Sequence, residues 1–245
     1  MRRNSLVTHF PLRDELPAGV QFWWAGGRSG SQIRSFDWSD SGQRTLRSLA
    51  AEIDVATITR MRQVHGSHCQ EVQQVCSEIP DSDACVSRLA GGYGVMTADC
   101  LPLLACDGDG SQVGVAHAGW RGLAAGILPN WIGAFSAAAQ SLSVWIGPAI
   151  CHQCFQIGSD VVRAFEQAPA FEMIDIGPHI QPDSDEVGKY YLNLKQLAAV
   201  QLRALGVKRL VLSDLCTRCE PTLHSFRRDT TPFRLLCGVT KKNPT

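Results

Sequence analysis

The chain has 245 residues, of which 44% are hydrophobic and 19% charged, and its 23 basic and 23 acidic side chains cancel to a formal net charge of +0. That balance gives no electrostatic footprint for nucleic acid or an anionic membrane, and no run of about eighteen apolar residues is present to span a bilayer. The start, Met1-Arg2-Arg3-Asn4-Ser5-Leu6, is basic, but no apolar stretch or cleavage pattern follows, so a cytoplasmic protein is expected.

Trp23-Trp24 reads as a strand that runs into a flexible loop over Gly26–Gly30. Gln43 to Ile53 carries apolar residues at 46, 49, 50 and 53, one helical face, with Asp40 as the expected cap. Arg44 and Arg47 share a side of that helix. Thr57–Arg62 alternates as a strand and leads into Gln63-Val64-His65-Gly66, where His65 and His68 compete as ligands. Cys69–Val75 is expected to be the returning strand and Asp81-Ser82-Asp83 a surface turn.

The centre of the chain is the stretch from Val95 to Gly126. Two apolar runs, Leu101–Cys106 and Val113–Ala116, flank Asp107-Gly108-Asp109-Gly110, a hairpin signal. Such a hairpin sets Cys100 and His117 side by side at its open end. Gly119-Trp120-Arg121-Gly122 then opens a helix and offers backbone amides and a guanidinium to an anion. Leu123–Ala139 is predicted helical, with Pro129 kinking it or starting a second segment. A strand at Ser143–Ile150, a helix at Gly158–Gln167, a helix at Asn193–Leu205, a strand at Lys208–Ser213 and a closing strand at Phe233–Val239 complete the pattern. We see one mixed α/β domain over residues 1–245, without repeats or linkers.

Ten cysteines and seven histidines are present. In a chain too large to need disulfide staples, reduced thiols or metal ligands are expected. His65, Cys100 and His117 form a donor set that suits catalytic zinc with an open position, or blue copper if Met61 or Met96 were near. Multicopper chemistry needs more histidines and His-x-His pairs than this chain has. Cys100 and His117 also suit a nucleophile and its base. Asp99 would serve as orienting acid or general acid/base if the backbone turns there, and as a supporting hydrogen-bond acceptor otherwise. Cys151/Cys154 and Cys216/Cys219 are a rival metal site. Their separation far exceeds the about 15–20 residues of a zinc ribbon, although distant pairs can meet in space. Arg227-Arg228-Asp229 reads as a second anion site or, more simply, a salt-bridged surface pair.

Taken together, Gln63-Val64-His65-Gly66, Ala98-Asp99-Cys100-Leu101-Pro102, His117 to Gly122, Gly147-Pro148 with Ile157-Gly158, Cys216-Thr217 and Ser225 to Asp229 form an ordered set. The set resembles the YfiH-type laccase-domain family, also labelled multicopper polyphenol oxidoreductases. That resemblance implies a layered α/β fold with mixed sheets flanked by helices, related to bacterial toxin cysteine hydrolases. It implies zinc on His65, Cys100 and His117. It also implies phosphorolysis of purine nucleosides (adenosine, inosine and methylthioadenosine) by inorganic phosphate, together with adenosine deamination. Some bacterial members are described as peptidoglycan editing factors that remove misincorporated L-serine from muramyl precursors. Arg44 falls at the family's Asn-Arg helix position, which makes it, with Arg121, the expected phosphate or substrate contact. A monomer or homodimer is expected. Departures from the pattern fall around Gly26–Trp38, at Asn193-Leu194, and at Thr231-Pro232-Phe233-Arg234, where Thr-Gly-Arg is usual.

Overall fold

A computed structural model describes residues 7–9, 15–29, 32–37 and 39–243. The basic start at residues 1–6 lies outside the described residues, as do Gly30 and Trp38. Two six-stranded mixed sheets stack face to face between helical layers. In the first sheet the strands lie in the order Val7–His9, Val20–Ala25, Leu235–Lys241, Gly91–Thr97, Ile58–Met61 and Glu78–Ile79. In the second the order is Arg209–Leu212, Ser143–Ile146, Leu101–Cys106, Val113–Ala118, Ala84–Ser87 and Cys69–Val72. Phe22, Val95, Cys237 and Val239 of the first sheet pack against Leu104, Val113, Val115 and Trp145 of the second.

The outer faces are covered too. Helix Asp40–Glu52 lays Leu46, Leu49, Ala50 and Ile53 on the first sheet, against Trp23, Ile58 and Leu236. Helices Ile127–Gly133, Ser159–Glu166 and Leu194–Ala204 cover the second. Strands covered on both faces need apolar residues at every position rather than alternation. Leu101–Cys106 and Val113–Ala118 are buried throughout for this reason.

The central hairpin forms as its turn sequence predicts. Asp107 accepts hydrogen bonds from the Gln112 amide and the Ser111 hydroxyl, and the register pairs Pro102 with His117 and Leu101 with Ala118. Other expectations are corrected. The N-cap of the first helix is Ser39, whose hydroxyl accepts from the Gly42 amide, and Asp40 is its first residue. Gly27–Ser29 pairs with Gln32–Arg34 as a small hairpin instead of a loop. Cys69–Val72 does not return beside Ile58–Met61. It runs parallel to Ala84–Ser87 in the other sheet. The helix after His117 breaks at Gly126, in the left-handed region at φ 91°, so Trp120–Ala124 and Ile127–Gly133 are separate and Pro129 sits inside the second.

Candidate functional site

The metal-type donors converge where the two sheets meet the first short helix. His117 ends a central strand, Cys100 precedes its neighbour, and His65 follows the edge-side strand Ile58–Met61. One ligand atom from each lies within 4.8 Å of the others, and the two imidazole rings meet edge to face at 4.8 Å. Close backbone approach makes this possible. A Cβ on Gly119 would fall 3.0 Å from the Cys100 Sγ and 3.1 Å from the His65 ring. A Cβ on Gly122 would fall 2.7 Å from the Gly66 carbonyl oxygen.

Asp83 organises the centre, and it is fully buried rather than part of a surface turn. Its carboxylate accepts from the amides of Val64, His65 and Gly66 at 2.8–3.1 Å and from His117 Nδ1 at 2.8 Å. His65 is thereby held at φ 59°, a conformation rare outside glycine. With Nδ1 bound to a carboxylate, His117 presents Nε2 to the site, the arrangement that supports metal-ligating histidines. Burial pushes the Asp83 carboxyl up, but the His117 bond and the amide donors outweigh it and hold the group below the usual carboxylate range.

Cys100 and His117 are mutually tuned. Burial raises the thiol, yet the His117 charge and hydrogen bonds from both histidines bring it down to about 6. Burial lowers the imidazole, yet the Cys100 charge and the Asp83 hydrogen bond bring it up to about 9. A thiolate beside two imidazoles fits a borderline-soft cation such as zinc in both ligand type and number. His68 stands apart, its Nδ1 near the Asp81 carbonyl at 3.4 Å. Met61 is buried between the sheets, and the Met96 sulfur lies against the Arg60 guanidinium at 4.0 Å.

Asp99 adopts φ 88°, so the chain turns there and both Asp99 and Cys100 reach the same cavity. The Asp99 oxygens accept from the Thr217 hydroxyl at 2.6 Å and the Arg227 amide at 2.7 Å. Both carboxylate oxygens of Asp99 are thus engaged at the cavity wall.

The centre opens into a cavity of about 1000 Å³. Its wall carries Arg62, Arg121, Arg227 and Arg234 together with Trp120, Phe155 and Phe226. Three of the arginines lie over aromatic rings: Arg121 on Trp120 at 4.3 Å, Arg227 on Phe155 at 5.4 Å and Arg234 on Phe226 at 5.8 Å. Arg62 is paired with Asp81 at 2.9 Å. Arg44, expected as a contact, is exposed on its helix and is not among the residues that line this cavity. Arg234 was missed, and its signal was the Arg of the altered Thr-Gly-Arg segment. The expected pair Arg227-Arg228 divides its work. Arg227 faces the cavity, while Arg228 bridges to Asp229 and donates to the carbonyls of Thr217, Arg218, Glu220 and Leu223.

Comparison with known proteins matches this architecture. The sequence profile described as "Multi-copper polyphenol oxidoreductase laccase" matches residues 31–238. The chain belongs to that family. Within this laccase-like family it is 36% identical over 177 residues to "Purine nucleoside phosphorylase YfiH" of Escherichia coli K12, covering 71% of this chain and 70% of that protein. It is 36% identical over 146 residues to "Adenosine deaminase RL5" of an unknown prokaryotic organism, covering 57% and 54%. The crystal structure of Neisseria meningitidis protein NMB0706, 28% identical, superposes with a TM-score of 0.85 over 98% of this chain and 100% of that one. No helix among the described residues is long and apolar enough to cross a membrane.

Proposed function

We propose that this chain is a zinc-dependent purine nucleoside phosphorylase of the cytoplasm that also deaminates adenosine and phosphorolyses methylthioadenosine. One observation carries the reading: a three-ligand centre opens into a cavity whose wall alternates arginines with aromatic rings. Nucleoside and phosphate make complementary demands. The purine needs apolar faces to stack on, and the phosphate needs fixed cations. Phe155, Phe226 and Trp120 supply the first. Arg121, Arg227 and Arg234 supply the second, and Arg121 also sits in the first turn of Trp120–Ala124.

His65, Cys100 and His117 would hold the zinc, with no fourth protein ligand among the described residues closing the set. Bound there, zinc supplies a Lewis acid that makes water nucleophilic near neutral pH, the chemistry adenosine deamination requires. The chain's own contribution is orientation. Asp83 fixes His117 by its ring nitrogen and His65 by its backbone, and Asp99 fixes the Arg227 segment against the Thr217 segment. In phosphorolysis, phosphate held by the arginines attacks the ribose carbon as its bond to the purine breaks.

The test is product analysis of adenosine and inosine with and without phosphate, using wild type and Cys100→Ala. Phosphate-dependent free base and ribose phosphate, absent in the variant, support the reading; full phosphorolysis in the variant overturns it. A second reading is favoured by the low Cys100 thiol beside His117 and Asp83, a nucleophile, base and orienting acid. It predicts release of serine from a muramyl-serine precursor, with no turnover of nucleosides.

A further inference from the structure

The cysteine pairs left unused by the nucleoside site meet in space. Cys151 caps the single turn His152–Cys154 and Cys154 ends it, while Cys216 and Cys219 bracket a turn after the strand Arg209–Leu212. The parallel bridge between Ala149 and Cys216 joins these two segments, so both Cys-x-x-Cys turns start from one point. All four sulfurs lie within 4.8 Å of one another, and Cys154 Sγ is 3.3 Å from Cys219 Sγ.

We propose that Cys151, Cys154, Cys216 and Cys219 bind a second zinc ion, structural rather than catalytic. Four thiolates around tetrahedral zinc, each about 2.3 Å from the metal, stand about 3.8 Å apart. The Cys154–Cys219 separation of 3.3 Å is close to that value, and the remaining sulfurs lie within reach of a common ion. The backbone is arranged for thiolates as well: the amides of Cys151 and Cys219 both point at Cys216 Sγ, at 3.2 and 3.5 Å. A tetrathiolate zinc site carries net negative charge, and two cations stand near it. The Lys195 ammonium is buried against the carbonyls of Ser213 and Leu215 and interacts with Cys216 and Cys151, while Arg218 interacts with Cys154. Two pairs with the Cys-x-x-Cys spacing and no fifth donor among the described residues make a closed set, the mark of a structural ion. Tetrahedral sulfur sites take zinc or iron, and a four-cysteine donor set built from Cys-x-x-Cys pairs is a recurring structural zinc pattern.

The ion would work as a bolt behind the nucleoside cavity. Ile150 and Phe155, at either end of the first turn, line that cavity. The second turn carries Thr217, whose hydroxyl holds Asp99, and Asp99 in turn holds the Arg227 amide. Joining the turns therefore fixes the wall that carries Phe155 and Arg227.

Elemental analysis of the full-length protein, purified under reducing conditions, tests the proposal directly. Wild type should carry two equivalents of zinc, one per cluster. Cys100→Ala should keep the one that belongs to the four cysteines, and the Cys154→Ser/Cys219→Ser variant should lose it while retaining the other. Cobalt substitution adds a readout independent of activity: strong thiolate-to-metal charge-transfer bands should persist in Cys100→Ala and collapse in the double variant. Should the double variant fail to fold, Cys219→Ser alone, at the exposed ligand, should weaken those bands. A single zinc that disappears with Cys100, iron in place of zinc at the four cysteines, or a Cys154–Cys219 disulfide in the native protein would each overturn the proposal.

Discussion

The two sulfur-containing clusters are built on opposite principles. His65, Cys100 and His117 come from the ends of regular strands, and their geometry is set by ladder register and by one buried carboxylate. Three potential ligands face a cavity of about 1000 Å³, which would leave a position for substrate. The four cysteines come instead from two short turns, would supply all four ligands themselves, and sit behind the cavity wall. An incomplete donor set on rigid strands serves chemistry, and a complete one on turns serves to hold loops in place.

The largest predicted effect separates the clusters. Cys100→Ala should take nucleoside turnover to background while thermal unfolding stays cooperative, measured by product chromatography and calorimetry. Asp83→Asn keeps the shape but weakens the carboxylate's hold on His117. It should lower metal affinity or kcat/KM by about 10–100-fold, measured by chelator competition and steady-state kinetics. Gly122→Ala presses a methyl group against the Gly66 carbonyl. The His65 turn must then shift, at about 1–3 kcal/mol, and the midpoint of metal binding should weaken without loss of the hairpin.

The thiols provide a finer comparison. In metal-free protein Cys100 titrates near 6, whereas burial lifts Cys85 and Cys237 far above the ordinary thiol value. Alkylation of Cys100 should therefore be fast at neutral pH and slow as pH falls through about 6, while Cys85 and Cys237 stay unmodified. Mass spectrometry of iodoacetamide-treated protein across pH reads this; a Cys100 midpoint near 9 would contradict the thiolate–imidazolium pair. The smallest effect is expected for Arg44→Ala. Its side chain is exposed and is not among the residues that line the cavity, so kcat/KM should change by less than about twofold.

How much of this could be read beforehand depended on the range of the interactions involved. The hairpin was legible because the Asp-Gly turn and the apolar runs around it are local signals, and it carried Cys100 and His117 with it. Asp83 was not, since Asp-Ser-Asp looks like any polar turn. Only the amides of residues 64–66 and the His117 ring, distant in sequence, make its burial favourable. Cys69–Val72 joins the other sheet because it pairs with a strand that the pattern did not show, Ala84–Ser87. Which arginines line the cavity was not legible for a similar reason: helix periodicity tells which face is apolar, but not which cation a cavity will reach. The cysteine pairs were visible as pairs, while their meeting was decided by the Ala149–Cys216 bridge.

The most direct test of the central claim is phosphate-dependent cleavage of inosine by metal-stripped protein reloaded stepwise with zinc. Turnover should return with occupancy of His65, Cys100 and His117 and should never return in Cys100→Ala. Undiminished cleavage in the stripped protein would contradict it.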